Sequence, residues 1–232
     1  MAKRPIYIPK LDGATLVQTE MVDFQWFPGL SVSQKQKSIE SLHQSAKSHL
    51  GLKSILEISS KSLDREGVDL SAFNLMIATP AGKKYSVETA FQSSKVFANG
   101  GPYTDLLEKT SREAKQDERL KTSGQLTHFF FYQKRFELEP KTFFYDWLYL
   151  NALLQQPDLS GKLLSYDGFT DIEFNPAKSI NCQAYSAALF VSLSHRGLIS
   201  NGKISPEYFA QILKDFSYVI AEEDHSTQPK LI

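Results

Sequence analysis

The sequence predicts an α+β protein, a single helix-rich domain with short, segregated strands. Three observations carry that expectation. Apolar residues recur at helical spacing over several long segments, while the apolar runs with strand character are only a few residues long. No internal repeat, low-complexity tract or Gly/Ser linker divides the 232 residues, so residues 1–232 read as one domain with a polar tail from about Glu222.

In chain order, Tyr7 and Ile8 ahead of Pro9 suggest a short edge strand, and Thr15 to Trp26 alternates loosely as extended chain. Ser31 to Leu50 reads as a polar helix. Ser31 or Ser33 caps it, Gly51 stops it, and Ile39, Leu42, Ala46 and Leu50 form its buried stripe. Ile55 to Ile58 and Phe73 to Ala78 are short buried strands, and the Pro80-Ala-Gly82 stretch is a turn. Thr104 to Lys121 is charged and helical, ended by Gly124, and its mixed charges read as a solvated face with i,i+4 pairs. The contiguous aromatics of His128 to Phe136 suggest one buried strand. Phe143 to Gln155 is an aromatic helix between Pro140 and Pro157, and Phe169 to Phe174 a strand. Ser179 to Leu193 is an Ala-rich helix, and Pro206 opens a last one running to about Phe216.

Composition excludes several classes. Formal net charge is zero, which argues against an extended electrostatic grip on a nucleic-acid backbone but leaves room for a pocket taking one modified nucleotide. Lys35, Lys37, Lys47, Lys53 and Lys61 have few acids among them and are the best candidates for a shallow DNA track. Cys182 is the one cysteine, and His43, His49, His128, His195 and His225 are scattered, so no disulfide and no metal-ligand spacing is expected. The first residues lack the apolar run of a secretory signal, and no stretch has the length and apolarity of a membrane span. A soluble, cytoplasmic setting without a membrane partner is the expectation.

The most informative segment is Ser86 to Tyr103. It reads as one capped helix with Glu88, Gln92 and Lys95 on a single stripe, closed by the turn at Gly100, Gly101 and Pro102. At i, i+4, i+7 and about 100° per residue, Lys95 would lie roughly 20° around the axis from Glu88. Val87, Phe91, Ser94 and Ala98 form the neighbouring apolar or small stripe, so the polar stripe borders a core. A carboxylate and an amine in that position are the parts sugar-carbon chemistry needs.

Residues 86–95 (SVETAFQSSK) resemble the signature helix of the NADAR family, with its Glu, aromatic-Gln pair and Lys. Five further strings resemble one branch of that family, the antitoxins paired with DarT-type DNA ADP-ribosyltransferases. They are residues 24–29 (FQWFPG), 33–38 (SQKQKS), 57–62 (EISSKS), 145–149 (YDWLY) and 181–189 (NCQAYSAAL). One departure is Tyr185, where the branch pattern calls for a basic residue. The resemblance implies a YbiA-like fold and removal of ADP-ribose from guanine bases in DNA. ADP-ribosylated DNA would be the substrate and a DarT-type toxin the functional partner, with no cofactor.

Cleaving a ribose–base bond requires a proton for the leaving nitrogen and a group to hold the anomeric carbon. A neutral lysine captures the opened sugar as a Schiff base that water hydrolyses, which calls for a lowered amine pKa. Lys95 suits that role and Glu88 the proton transfers, and the resemblance points to the same pair. An ordinary solvated Glu/Lys face is the bland alternative. For Asn99, Gly100, Gly101 and Tyr103 the alternatives are a pyrophosphate cradle or a plain helix C-cap with a proline stop. Ser59, Ser60 and Lys61, after a short strand, are either phosphate contacts or a polar loop. Trp147 stacks on a base or belongs to the core, and Asp146 bonds a ribose or base or caps surface charge. Asn181 and Gln183 bond substrate or cap their helix.

Two other readings compete with DNA repair. One is an N-glycosidase on small phosphoribosylated metabolites, disfavoured by the branch-specific strings. The other is a non-catalytic ADP-ribose reader or a toxin-gripping antitoxin, which would need neither Glu88 nor Lys95 in a reactive state.

Overall fold

Alternation along the two long strands sets the layering. β1 (Ala2–Pro9) pairs antiparallel with β2 (Val17–Phe24) over its whole length, from Ala2↔Phe24 to Pro9↔Val17. Successive side chains of a strand point to opposite faces. Accordingly Ile6 joins one hydrophobic cluster and Tyr7 the other. The structure is a computed structural model, and it describes residues 2–79, 81–177, 179–200 and 202–216.

Helix α1 (Val32–Leu50) covers the Ile6 face. Ser31 caps it by accepting from the Gln34 amide, and Gly51 closes it at φ 70°, a left-handed conformation suited to glycine. Its Ile39, Leu42 and Ala46 pack with Ile6, Val22, Phe24, Ile55 and Ile172. β3 (Ile55–Glu57) leads through α2 (Arg65–Asp69) to the hairpin of β4 (Met76–Ala78) and β5 (Lys84–Ser86). Then come α3 (Val87–Ser93), β6 (Lys95–Phe97), a 3-10 turn at Thr104–Glu108, α4 (Ser111–Gln116) and α5 (Arg119–Thr122). β7 (Leu126–Phe131) and β8 (Lys134–Phe136) complete a three-stranded meander in the order β6-β7-β8.

α6 (Phe143–Leu154) and α7 (Pro157–Leu163) precede β9 (Gly168–Thr170), and α8 (Gln183–His195) and α9 (Pro206–Asp215) follow. β9 inserts between β1 and β3, antiparallel to the first and parallel to the second, giving the order β2-β1-β9-β3. α6 and α8 are buried almost all round because they form the middle of the larger core, on the Tyr7 face of that sheet. No described helix is long and apolar enough to cross a membrane.

The α+β class stands, and α1, α6 and α9 lie close to where capping and spacing place them. Several elements differ. The Tyr7 strand is interior, not an edge. The motif helix stops at Ser93, and Lys95 begins a strand. The expected helix over 104–121 is three short pieces. Thr110 and Glu113 form a capping box that restarts the chain at Ser111, and Asp117 ends that piece. Its charges pair across the breaks, Lys109 with Asp117 at 2.7 Å and Arg119 with Asp105 at 2.6 Å, rather than at i,i+4. Residues 128–136 form a hairpin whose turn residues Tyr132 and Gln133 both have positive φ, and Phe130 and Tyr132 are exposed. Ser179 to Cys182 precede α8 instead of joining it. α2, β5 and α7 carry no signal strong enough to be read, Pro157 being the first residue of α7 rather than only a stop. Pro80, Glu222 and the polar tail lie outside the described residues.

Candidate functional site

α3 is seven residues long and buried at every position. Its own hydrogen bonds are too few to hold it, so the surroundings fix it. Ser86 caps it, accepting from the Thr89 amide at 3.0 Å. The Val87 amide donates to Leu75 O at 2.9 Å and the Glu88 amide to Ala72 O at 2.8 Å, docking the first turn on residues 72–75. The end is equally local. The hydroxyls of Ser93 and Ser94 both donate to Ala90 O, at 3.0 and 2.6 Å, competing with helix continuation. Phe130 N then donates to Ser94 O at 2.7 Å, and the chain enters β6.

Lys95 therefore does not share a helical stripe with Glu88. It reaches the same place by strand geometry. Lys95 pairs with Phe129 of β7, and its Nζ lies 4.9 Å from the centroid of the Phe91 ring. Phe91 in turn packs against Phe129 and Phe144, whose rings stack at 4.7 Å, with Tyr145 edge-on to Phe91 at 5.2 Å.

Glu88 and Gln92 are not at the border of the core but inside it, each 6% exposed. Gln92 Nε2 donates to Glu88 Oε1 at 2.8 Å, which turns the Gln92 carbonyl away from the carboxylate. That carbonyl oxygen is buried and accepts no hydrogen bond among the described residues. An orphaned buried acceptor costs about 1–3 kcal/mol, which a ligand donor would recover. Lys115 Nζ, arriving from α4, stands 3.9 Å from Glu88 Oε1. Desolvation lowers the Lys95 amine to about 8, Glu88 pulls it back up, and Lys115 pushes it down. A neutral, nucleophilic fraction is thus present near neutral pH.

The loop after β6 is not a helix cap. Phe97 N donates to Gly100 O at 2.7 Å and Gly100 N to Phe97 O at 3.4 Å, closing a tight turn, so the Gly100 amide is not free for a pyrophosphate. Asn99 is exposed, and its amide donates to Ser123 O at 3.0 Å. Gly101 has φ 89°, and a Cβ there would run into the carbonyl oxygen of Lys95. Tyr103 lies over Gly100, bonds Ser123 Oγ and carries the Arg119 guanidinium 4.5 Å above its ring.

The other expected site residues divide. Ser59 is buried and accepts from the Lys61 amide at 3.1 Å, while Lys61 Nζ donates to the exposed Ser60 hydroxyl at 2.9 Å. Asp146 is buried and joins α6 to α8, accepting from Thr142 Oγ1 at 2.7 Å and Ser186 Oγ at 2.5 Å. Trp147 packs 5.0 Å from Phe136 and donates from Nε1 to Ile204 O at 2.7 Å, a core arrangement rather than an open stacking platform. Asn181 lies before α8, whose N-cap is Cys182, and its carbonyl accepts from Ser179 Oγ at 3.3 Å. Gln183 bonds protein, not solvent: Nε2 to Ile58 O and Asp171, Oε1 from the Ala72 amide. The buried Tyr185 ring stands edge-on to Tyr7 at 5.6 Å. On the supposed DNA track, Lys35 is committed to Glu173 at 3.1 Å and to the Trp26 ring, and Lys47 shares its surface depression with Glu40.

Two features escaped the sequence. One is Lys115, read there as part of a solvated face. The other is the buried pair Glu57 and Asp171, whose strands meet only in the fold. Among the described residues, no group of three or more His, Cys, Asp or Glu side chains is arranged to hold a metal ion.

A family model described as the DarT1-associated NADAR antitoxin matches residues 2–223, and thus nearly the whole chain. The chain belongs to this family. A search among curated proteins finds no match. With NADAR membership come an antitoxin role, a DarT toxin as functional partner and an association with N-glycosidase chemistry. Glu88 and Gln92 are hydrogen-bonded to each other on α3, and the Glu88 charge acts on Lys95 at the start of β6.

Proposed function

We propose that this protein removes ADP-ribose from guanine bases in DNA, with Lys95 as the covalent catalyst and Glu88 as the proton carrier. The observation that supports it best is the lysine whose ammonium is weakened by burial while a buried carboxylate stands close enough to act on it. In this reading the Lys95 amine adds to the anomeric carbon of the ribose. The carbon–nitrogen bond to guanine breaks, and Glu88 supplies the proton that the departing base nitrogen takes up. The ring oxygen then leaves the same carbon, taking a proton from the lysine nitrogen, and the opened sugar is held on Lys95 as a protonated imine. Water, giving a proton back to Glu88, adds to that carbon and releases ADP-ribose with the amine restored. The orphaned Gln92 carbonyl is suited to accept a hydroxyl of the ribose or an N–H of the base.

The test uses the purified protein and a short oligonucleotide carrying ADP-ribose on guanine. Release of free ADP-ribose and unmodified DNA is expected, with loss of release in Lys95→Ala. Borohydride added during turnover should leave an adduct on Lys95 by intact-mass and peptide analysis. A stable complex without release would mean a reader, and turnover restricted to small phosphoribosyl amines would mean a metabolite glycosidase. Release without any trappable adduct would remove the imine.

A further inference from the structure

We propose that Lys115 is a positioning residue of the site: its ammonium occupies the Glu88 carboxylate and so keeps that carboxylate from holding Lys95 as an ion pair. This rests on the reading of Lys95 as the nucleophile. Glu88 Oε1 already accepts from Gln92 Nε2, and Lys115 Nζ approaches the same oxygen at 3.9 Å. The ammonium also lies 5.2 Å from the centroid of the Phe73 ring, a second contact that favours a cation.

The approach of Lys115 is built into the fold. α4, which bears it, is tied to the α3 cap by a chain of hydroxyls: Ser86 Oγ and Ser111 Oγ lie 2.8 Å apart, and Ser111 Oγ donates to Phe73 O at 2.8 Å. The capping box of Thr110 and Glu113 fixes where α4 begins. Lys115 therefore presents its charge from an element outside the signature segment, and the sequence distance hides it.

The charged groups acting on Lys95 are few. Glu88 faces it from α3 and favours the ammonium, and Lys115 from α4 opposes it. From α6 the Tyr145 hydroxyl stays protonated, its pKa raised by burial first and by Glu88 next. From β7 the paired residue is Phe129, which carries no charge. An amine beside a second cation is a better nucleophile at neutral pH, because its free form is more populated. The side chain of Lys115 is more than half exposed, so its effect is graded and screened by salt.

The test reads the Lys95 amine without substrate. Lysines are reductively methylated with carbon-13 formaldehyde, which keeps their charge, and the Lys95 signal is assigned by its loss in Lys95→Arg. Its titration midpoint should rise by about half a pH unit in Lys115→Met, rise further in Lys115→Glu, and stay put in Lys115→Arg. Arg112→Met removes a cation from the exposed side of the same helix and should leave the midpoint unchanged. An unmoved midpoint in both Lys115→Met and Lys115→Glu overturns the proposal, whatever the protein turns over. If the oligonucleotide assay works but Lys115→Met raises only KM at every pH, Lys115 is a substrate contact, which overturns it too. If the midpoint moves as expected and no ADP-ribose is released by any form, the electrostatic coupling holds and the repair reaction fails.

Discussion

Two of the buried carboxylate clusters, Glu57 with Asp171 and Glu88 with Gln92, are finished to different degrees. Glu57 and Asp171, at the ends of the parallel strands β3 and β9, are fully engaged by neutral donors. Glu57 accepts from Thr170 Oγ1 at 2.6 Å and Ile172 N at 2.8 Å, and Asp171 from Glu173 N, Phe174 N and Gln183 Nε2. His43 Nε2 lies 2.8 Å from the same Thr170 hydroxyl, and burial holds that imidazole down at about 4. Burial raises both acids, Asp171 to about 8, with the Glu57 charge adding to the rise of Asp171 and the Glu173 charge to that of Glu57. Such a pair is a lock joining β3, β9 and α8. Glu88 is the contrary case. One of its oxygens meets an amide and an ammonium, its neighbour Gln92 has a carbonyl without a donor among the described residues, and a weakened amine stands near. A saturated polar cluster stabilises, whereas an unsaturated one has capacity left for a ligand.

The largest expected effect breaks the open site. Lys95→Ala should lower release of ADP-ribose by at least ~10³-fold, as loss of a covalent catalyst does. Its melting temperature should not fall, since the lost ammonium was partly desolvated. Glu88→Gln should lower turnover by about 10²-fold, the low end for a lost general acid–base group, with little change in KM. Measured initial rates over a substrate range decide both.

The closed site should answer in stability instead. Glu57→Ala leaves the Thr170 hydroxyl and the Ile172 amide without their acceptor and should cost roughly 2–4 kcal/mol in urea unfolding. An equal loss from Glu88→Ala would erase the distinction between the two sites.

Stability against pH separates them further. Asp171 rises from 3.8 to about 8, so the folded protein holds a proton the unfolded chain has released between those values. That contribution is fully present below 3.8 and is lost as pH climbs towards 8. Lys95 falls from 10.5 to about 8, so the folded protein binds fewer protons than the unfolded chain between those values. Its penalty is full below 8 and is relieved as pH rises through 10.5. Denaturation at fixed pH should show Asp171→Asn flattening the first slope and Lys95→Met the second. Smallest of all, Trp147→Phe should lose the bond to Ile204 O, about 1 kcal/mol, and leave KM unchanged. A raised KM would return Trp147 to the site.

Much of the frame was legible. Ser31 and Gly51 mark α1, Pro206 marks α9, and the aromatic run marks α6, because caps and periodicity act locally. The candidate residues Glu88, Gln92 and Lys95 stand out in the sequence, but the path between them does not: they sit on a helix and on the strand after it, because two serine hydroxyls and the pairing with β7 overrule the helix. The signal was available in the Ser93-Ser94 pair ahead of Lys95, Val96 and Phe97, which suits a strand. Lys115 was not legible, since its approach depends on the hydroxyl chain from Ser86 to Phe73. Glu57 and Asp171 stand 114 positions apart and meet only because β9 inserts between β1 and β3. The turn at Tyr132 and Gln133 uses residues that do not advertise positive φ.

Gly101 presses directly against the backbone of the residue proposed to do the chemistry. An added methyl group there would have to push the strand bearing the amine, displacing it from the Phe91 ring. A blind screen of variants would then mark as indispensable a position that has no functional group to offer.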